Sequence, residues 1–112
     1  MTENDFIELN ETQRLDELLA QSGEQPIILF KHSDTCGISA RAYREMTRVE
    51  QRVALVTVQK ARALSNEIES RFALPHQTPQ VLVVRDGMLV WSASHFRITA
   101  DAVARAVEEA AQ

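Results

Sequence analysis

Three short apolar runs constrain this chain more than any other feature. They are Ile27-Ile28-Leu29-Phe30, Val53-Ala54-Leu55-Val56-Thr57-Val58 and Val81-Leu82-Val83-Val84. Each is too short for an ordinary helix and is rich in branched residues. Such continuous runs read as strands buried on both faces, the situation of a central sheet covered by helices on either side.

Between the runs the pattern turns helical. Leu15, Leu18 and Leu19 make an apolar stripe over a helix from about Thr12 to Gln21, with Thr12 as its cap and Ser22-Gly23 as its stop. Lys31-His32-Ser33-Asp34-Thr35 reads as a polar loop leading to Cys36. From 36 to about 48, Ile38, Ala42, Met46 and Val49 recur at helical spacing. Leu64, Ile68 and Phe72 mark a third helix, ended by Leu74-Pro75. Asp86-Gly87 directly follows the third run. A two-residue type I′ turn needs positive φ at both central positions, so this pair predicts a hairpin returning through Met88-Leu89-Val90-Trp91. Thr99 caps a last helix, with Val103 and Val107 on its apolar side and Asp101 in its first turn.

The order α-β-α-β-α-β-β-α, with right-handed crossovers, predicts an α/β domain. About four strands form a central mixed sheet with helices on both faces. This is the element order of the thioredoxin fold, and the length of 112 residues suits a single domain, 1–112.

Charge and composition exclude several roles. Twelve basic against sixteen acidic residues give a net charge of −4, a poor match for a nucleic-acid phosphate backbone. No apolar run approaches the ~20 residues of a membrane span. Met1-Thr2-Glu3-Asn4-Asp5 lacks the basic start and apolar core of a secretory signal, so the expected location is the cytoplasm.

The chain has one cysteine, Cys36. It can form no intramolecular disulfide and no all-cysteine metal site within one chain. Its redox partner must be a sulfur of another molecule. Cys36 lies where a buried strand, a short loop and a helix meet. The free N–H groups of a helix's first turn and the helix dipole favour thiolate over thiol there. The thiolate is the species that attacks disulfides. Ser39 stands where a two-cysteine motif would hold its resolving thiol. A serine cannot resolve a mixed disulfide, but it can donate a hydrogen bond to the Cys36 sulfur.

Thr78-Pro79 precedes the third strand. A proline there, facing the start of the cysteine helix, matches the cis-proline of thioredoxin-like proteins, whose preceding backbone pairs with an incoming peptide or thiol. His32 and His76 could line the same cleft, where a protonated imidazole would lower the thiol pKa. His32, His76 and His95 show no metal-ligand spacing, and no metal is expected. A cysteine–histidine hydrolase usually needs a longer chain than this. Trp91 and Tyr43 read as packing residues.

These residues suggest a family. Phe30-Lys31-His32-Ser33-Asp34-Thr35-Cys36-Gly37-Ile38-Ser39 resembles the signature of the monothiol bacilliredoxins, thioredoxin-like proteins of the bacillithiol system of bacteria. So do His76-Gln77-Thr78-Pro79-Gln80 and, after the hairpin, Ser94-His95-Phe96-Arg97-Ile98-Thr99. The resemblance implies removal of bacillithiol from modified protein cysteines. Cys36 would be the nucleophile and Pro79 the cis-proline. Lys31, His32, Thr35, Gly37, Ser39, His76 and Thr78 would support the thiol. The family commonly carries proline where this chain has Gly37. Cys36-Gly37-Ile38-Ser39 is thereby similar to the Cys-Gly-Phe-Ser motif of monothiol glutaredoxins, which carry iron–sulfur clusters with glutathione. Lys31 would suit a thiol carboxylate in that family. The diglycine-plus-acid segment of glutaredoxins is missing, with Ser92-Ala93-Ser94-His95 in its place.

Two functions follow as expectations. The first is a thiol-disulfide oxidoreductase with no bound cofactor and bacillithiol as co-substrate. It would act on S-thiolated client proteins and need a separate reducing thiol or redoxin. The alternative is a dimeric carrier of a 2Fe-2S cluster, held by two Cys36 thiolates and two small thiols. A catalytically idle adaptor is a third, weaker option.

Overall fold

Alternation along the buried runs divides the core in two. The computed structural model describes residues 6–35 and 37–112. The strands are β1 (Ile7–Glu8), β2 (Ile27–His32), β3 (Val53–Thr57), β4 (Gln80–Arg85) and β5 (Met88–Ser94). The helices are α1 (Thr12–Gln21), α2 (Gly37–Met46), α3 (Arg62–Phe72) and α4 (Ala100–Ala110). A 3₁₀ turn, His95–Arg97, joins β5 to α4. The sheet order is β1-β3-β2-β4-β5. β2 runs parallel to β3 and antiparallel to β4, so the sheet is mixed.

Successive strand residues point to opposite faces. Ile28, Phe30, Val81 and Val83 therefore join Ala42 and Met46 of α2 and Val103 and Val107 of α4 in one core. Ile27, Leu29, Leu82 and Val84 join Leu15 of α1 and Leu64 and Ile68 of α3 in the other. β2 is buried at all six positions. Emptying its centre, as in Phe30→Ala, would cost about 3–5 kcal/mol.

The structure corrects four local expectations. The sheet has five strands rather than about four, because the two residues of β1 pair with Ala54 and Leu55 of β3. Thr12 does not cap α1. Glu11 stands at the cap position and makes no side-chain cap bond. Met88-Leu89-Val90-Trp91 is only the first part of β5, which pairs with β4 as far as Ser94. Lys31 and His32 are not loop residues but the last two of β2, because neighbouring strands reach far enough to pair both: Lys31 with Val56 and Gln80, His32 with Thr57.

Other local expectations hold. Asp86 and Gly87 have φ of 54° and 73°, the two positive values the tight hairpin requires. The Thr99 hydroxyl accepts from the Ala102 N–H at 3.1 Å and caps α4. The hairpin tip is tied to the end of α1 by buried Ser22. Its carbonyl accepts from Asp86 N at 2.8 Å and its Oγ from Gly87 N at 2.7 Å. Among the described residues no helix is long and apolar enough to cross a membrane. Met1 to Asp5, on which the reading of the leader rests, lie outside the described residues.

Candidate active site

The expected nucleophile, Cys36, lies outside the described residues. Its neighbours frame the connection it belongs to: β2 ends at His32 and α2 starts at Gly37, the residue after the cysteine. No acidic residue occupies the first turn of α2, so no side-chain charge there offsets the positive potential of the helix N-terminus.

The loop leading to Cys36 is held by a residue that sequence reasoning missed. Gln59, in the turn after β3, donates from Nε2 to Ser33 Oγ at 2.7 Å and to Thr35 Oγ1 at 3.3 Å. Its Oε1 accepts from Asp34 N at 3.2 Å. One amide thus fixes three consecutive residues. Ser39 is fully buried, and its Oγ accepts from Ser33 N at 3.3 Å. The hydroxyl expected to face the sulfur therefore braces the loop from the α2 side.

Lys31 and His32 diverge because they are adjacent on a strand. Lys31 shares the sheet face of Leu29, the α1/α3 side. It is fully buried, and its Nζ has no hydrogen-bond partner among the described residues. Burial lowers its pKa below the usual lysine value, and the charge of Glu69 on α3 partly offsets this. His32 turns to the α2 side. Its ring centroid lies 5.0 Å from that of Tyr43 and 5.7 Å from that of Phe30. His32 Nε2 stands 3.4 Å from Asp34 Oδ1. Burial depresses its pKa, and Asp34 pulls it back upward.

The Thr78–Pro79 peptide is cis. Pro79 is buried and Thr78 half-buried. Thr78 Oγ1 shares a hydrogen bond with His76 Nε2 at 3.0 Å, and His76 N donates to Glu69 Oε2 at 3.1 Å. Burial lowers the His76 pKa, and the nearby charges of Lys31 and Arg62 lower it further against the pull of Glu69. The structure thus brings Lys31, His76 and Glu69 together. The two histidines are divided: His32 packs on α2 and His76 sits beside α3, so they do not form one imidazole pair.

Gln80 is a second residue whose role was not foreseen, although it stands within the His76-Gln77-Thr78-Pro79-Gln80 segment. It is buried, donates from Nε2 to Pro75 O at 3.2 Å, and leaves Oε1 without a partner among the described residues. Gly37 is exposed, and a methyl group there would meet nothing within 4 Å. Among the described residues no group of three or more His, Cys, Asp or Glu could hold a metal ion.

Comparison with known proteins bears on the fold and the family. One solved structure, a candidate oxidoreductase with a thioredoxin fold, has a TM-score of 0.83 and 27% identity, covering 90% of this chain and 92% of that one. Fasciola hepatica thioredoxin gives a TM-score of 0.73 at 14% identity, over 93% and 98% of the two chains. Mitochondrial thioredoxin 3 of Saccharomyces cerevisiae gives 0.74 at 15%, over 93% and 94%. These two likenesses show the fold, α/β and thioredoxin-like. The family model described as monothiol bacilliredoxin BrxC matches residues 7–103, which include Cys36 and every supporting residue named above. The chain belongs to the monothiol bacilliredoxin family, thiol oxidoreductases built on the thioredoxin fold.

Proposed function

We propose that the protein removes bacillithiol, or a similar small thiol, from mixed disulfides on client proteins. The observation that carries this reading is a lone cysteine in the short connection between buried β2 and α2, within a match to a monothiol redoxin family. The Cys36 thiolate attacks the small-thiol sulfur of the client's mixed disulfide. That S–S bond breaks, the client sulfur leaves as thiolate, and Cys36 carries the small thiol in a new disulfide. A second small-thiol thiolate, or another redoxin, then attacks that disulfide. It returns Cys36 as thiolate and leaves with the small thiol as a new disulfide. The chain has no second cysteine to do this itself.

The residues described above prepare this step. Gln59 and Ser39 hold the loop before the cysteine. Lys31 and His76 place basic groups near the same end of the sheet. The setting proposed for the reaction is the bacterial cytoplasm, and the mechanism needs no bound cofactor.

Intact mass spectrometry tests the proposal. Mixing the protein with a bacillithiol-modified client is expected to transfer one bacillithiol to the protein and to free the client. Cys36→Ala is expected to abolish both. An untouched client beside an unmodified Cys36 would refute it. The open space over Gly37 favours a second reading, a shared 2Fe-2S cluster, because backbone could approach a cluster closely there. Visible absorption after anaerobic reconstitution, lost in Cys36→Ala, would favour that reading. A colourless product would exclude it.

A further inference from the structure

The 3₁₀ turn after β5 displays an aromatic ring to solvent. Phe96 is 63% exposed. The ring is nonetheless held. The Arg41 guanidinium of α2 stands 5.5 Å from its centroid, and Arg41 Nη1 donates to Ile98 O at 3.5 Å. The arginine spans the turn with its positive charge over one face of the ring, leaving the rest of the ring to solvent. The turn is also anchored on the candidate active site, since His95 N donates to Pro79 O at 3.1 Å. Phe96 follows that anchor directly.

The surroundings are basic. Arg97 is exposed next to Phe96, and exposed Arg44 lies three residues from Arg41 on the same side of α2. Glu45 is already engaged. It accepts from Ala100 N at 2.9 Å and stands 3.6 Å from Arg48. Asp101 lines a shallow cavity with Arg48 and Ala104, towards the far end of α2. The result is an apolar knob with a basic rim on a chain whose net charge is −4.

We propose that Phe96, Arg41 and Arg97 form a docking patch for client proteins, fitted to an acidic segment whose apolar side chain packs on Phe96. The proposal rests on the oxidoreductase reading above and names the client class. The local basic rim attracts an acidic segment at short range, while the net charge of −4 repels it only at distances that salt screens. The ring supplies the apolar anchor that small interfaces need at their centre. Clients held here are presented beside Pro79.

Three cysteine-free peptides of equal length test it on the full chain. Each has a central leucine flanked by glutamates, by glutamines or by lysines. Amide shifts of the isotope-labelled protein are expected at 95–98 and around Arg41 with the glutamate peptide alone. Affinity is expected to fall about fivefold in ~0.5 M salt. It is expected to fall about tenfold in Phe96→Ala and in Arg41→Gln. Arg41→Lys keeps the charge and is expected to lose less, which separates charge from folding. In parallel, kcat/KM for a client thiolated beside an acidic segment is expected to fall about tenfold in Phe96→Ala, through KM, with a neutral-flanked client affected less. Equal response to all three peptides overturns the proposal. So do shifts elsewhere, or shifts at 95–98 that follow protein concentration without peptide, as a second copy would produce. The peptides carry no sulfur. Selective binding without any dethiolation would therefore sink the enzyme reading and keep the patch. Dethiolation indifferent to client charge, with no peptide binding, would sink the patch alone.

Discussion

Lys31 and Gln80 face each other across the antiparallel β2–β4 ladder, and each keeps a buried polar atom without a partner among the described residues. Paired positions share a sheet face, so a lone amine and a lone amide oxygen occupy one compartment near Glu69. An unpaired buried ammonium is unfavourable, and burial lowers the Lys31 pKa accordingly.

Lys31→Met is therefore expected to stabilise the fold at neutral pH by about 1–3 kcal/mol, read as a raised denaturation midpoint. The alkaline range gives a second readout. Between the lowered folded pKa and the unfolded value of 10.5, the unfolded chain binds more protons. The wild-type protein should then gain stability as pH rises through that window, and Lys31→Met should lack this gain. Parallel curves for the two proteins would contradict the assignment.

Acid acts through the imidazoles. The folded pKa values of His32 and His76 both lie below 6.5. The unfolded chain therefore takes up protons first as pH falls. Stability is expected to drop as pH falls through the unfolded value of 6.5 towards the lowered folded ones. His32→Phe keeps an aromatic ring against Phe30 and Tyr43 and is expected to flatten this slope in part. Urea denaturation at several pH values measures it. A slope unchanged in both His32→Phe and His76→Asn would contradict the sign.

Gln59→Ala removes the amide that holds residues 33 to 35. The expected loss is about 0.5–1.5 kcal/mol, small because Gln59 is itself exposed. Hydrogen exchange at the Asp34 amide should accelerate, and the rate of Cys36 alkylation should change. Equal alkylation rates in the two proteins would show that the loop does not tune the thiol.

Two glycines separate conformation from space. Gly87 has φ of 73°, so Gly87→Ala is expected to destabilise by about 1 kcal/mol although nothing crowds it. Gly37 has no such backbone demand and open space around it. Gly37→Ala is expected to stabilise by about 0.4–1 kcal/mol. Thermal unfolding of the pair should move in opposite directions.

What the sequence showed depended on how local the cause was. The buried runs, the Asp86-Gly87 turn and the Thr99 cap are set by residues close in the chain, and each was legible. β1 was not, because two residues carry no period and become a strand only through β3. Lys31 and His32 looked like loop because polar side chains follow the apolar run there. Their place in β2 is decided by the reach of β3 and β4. The Gln59 contact joins positions 24 and more residues apart with no pattern between them. The connection between β2 and α2 was therefore legible, but the hydrogen bonds across residues 33 to 35 were not.

The Ser22 tie sets the two ends of the sheet apart. It closes the sheet at the pole where β2 begins, locking the hairpin tip to α1 through two backbone N–H groups. The opposite pole, where β2 runs into the thiol loop, is stitched by side-chain amides and isolated backbone bonds. A change at Ser22 therefore acts on the hairpin and α1 together, and leaves the bonds of Gln59 to residues 33 to 35 at the other end in place.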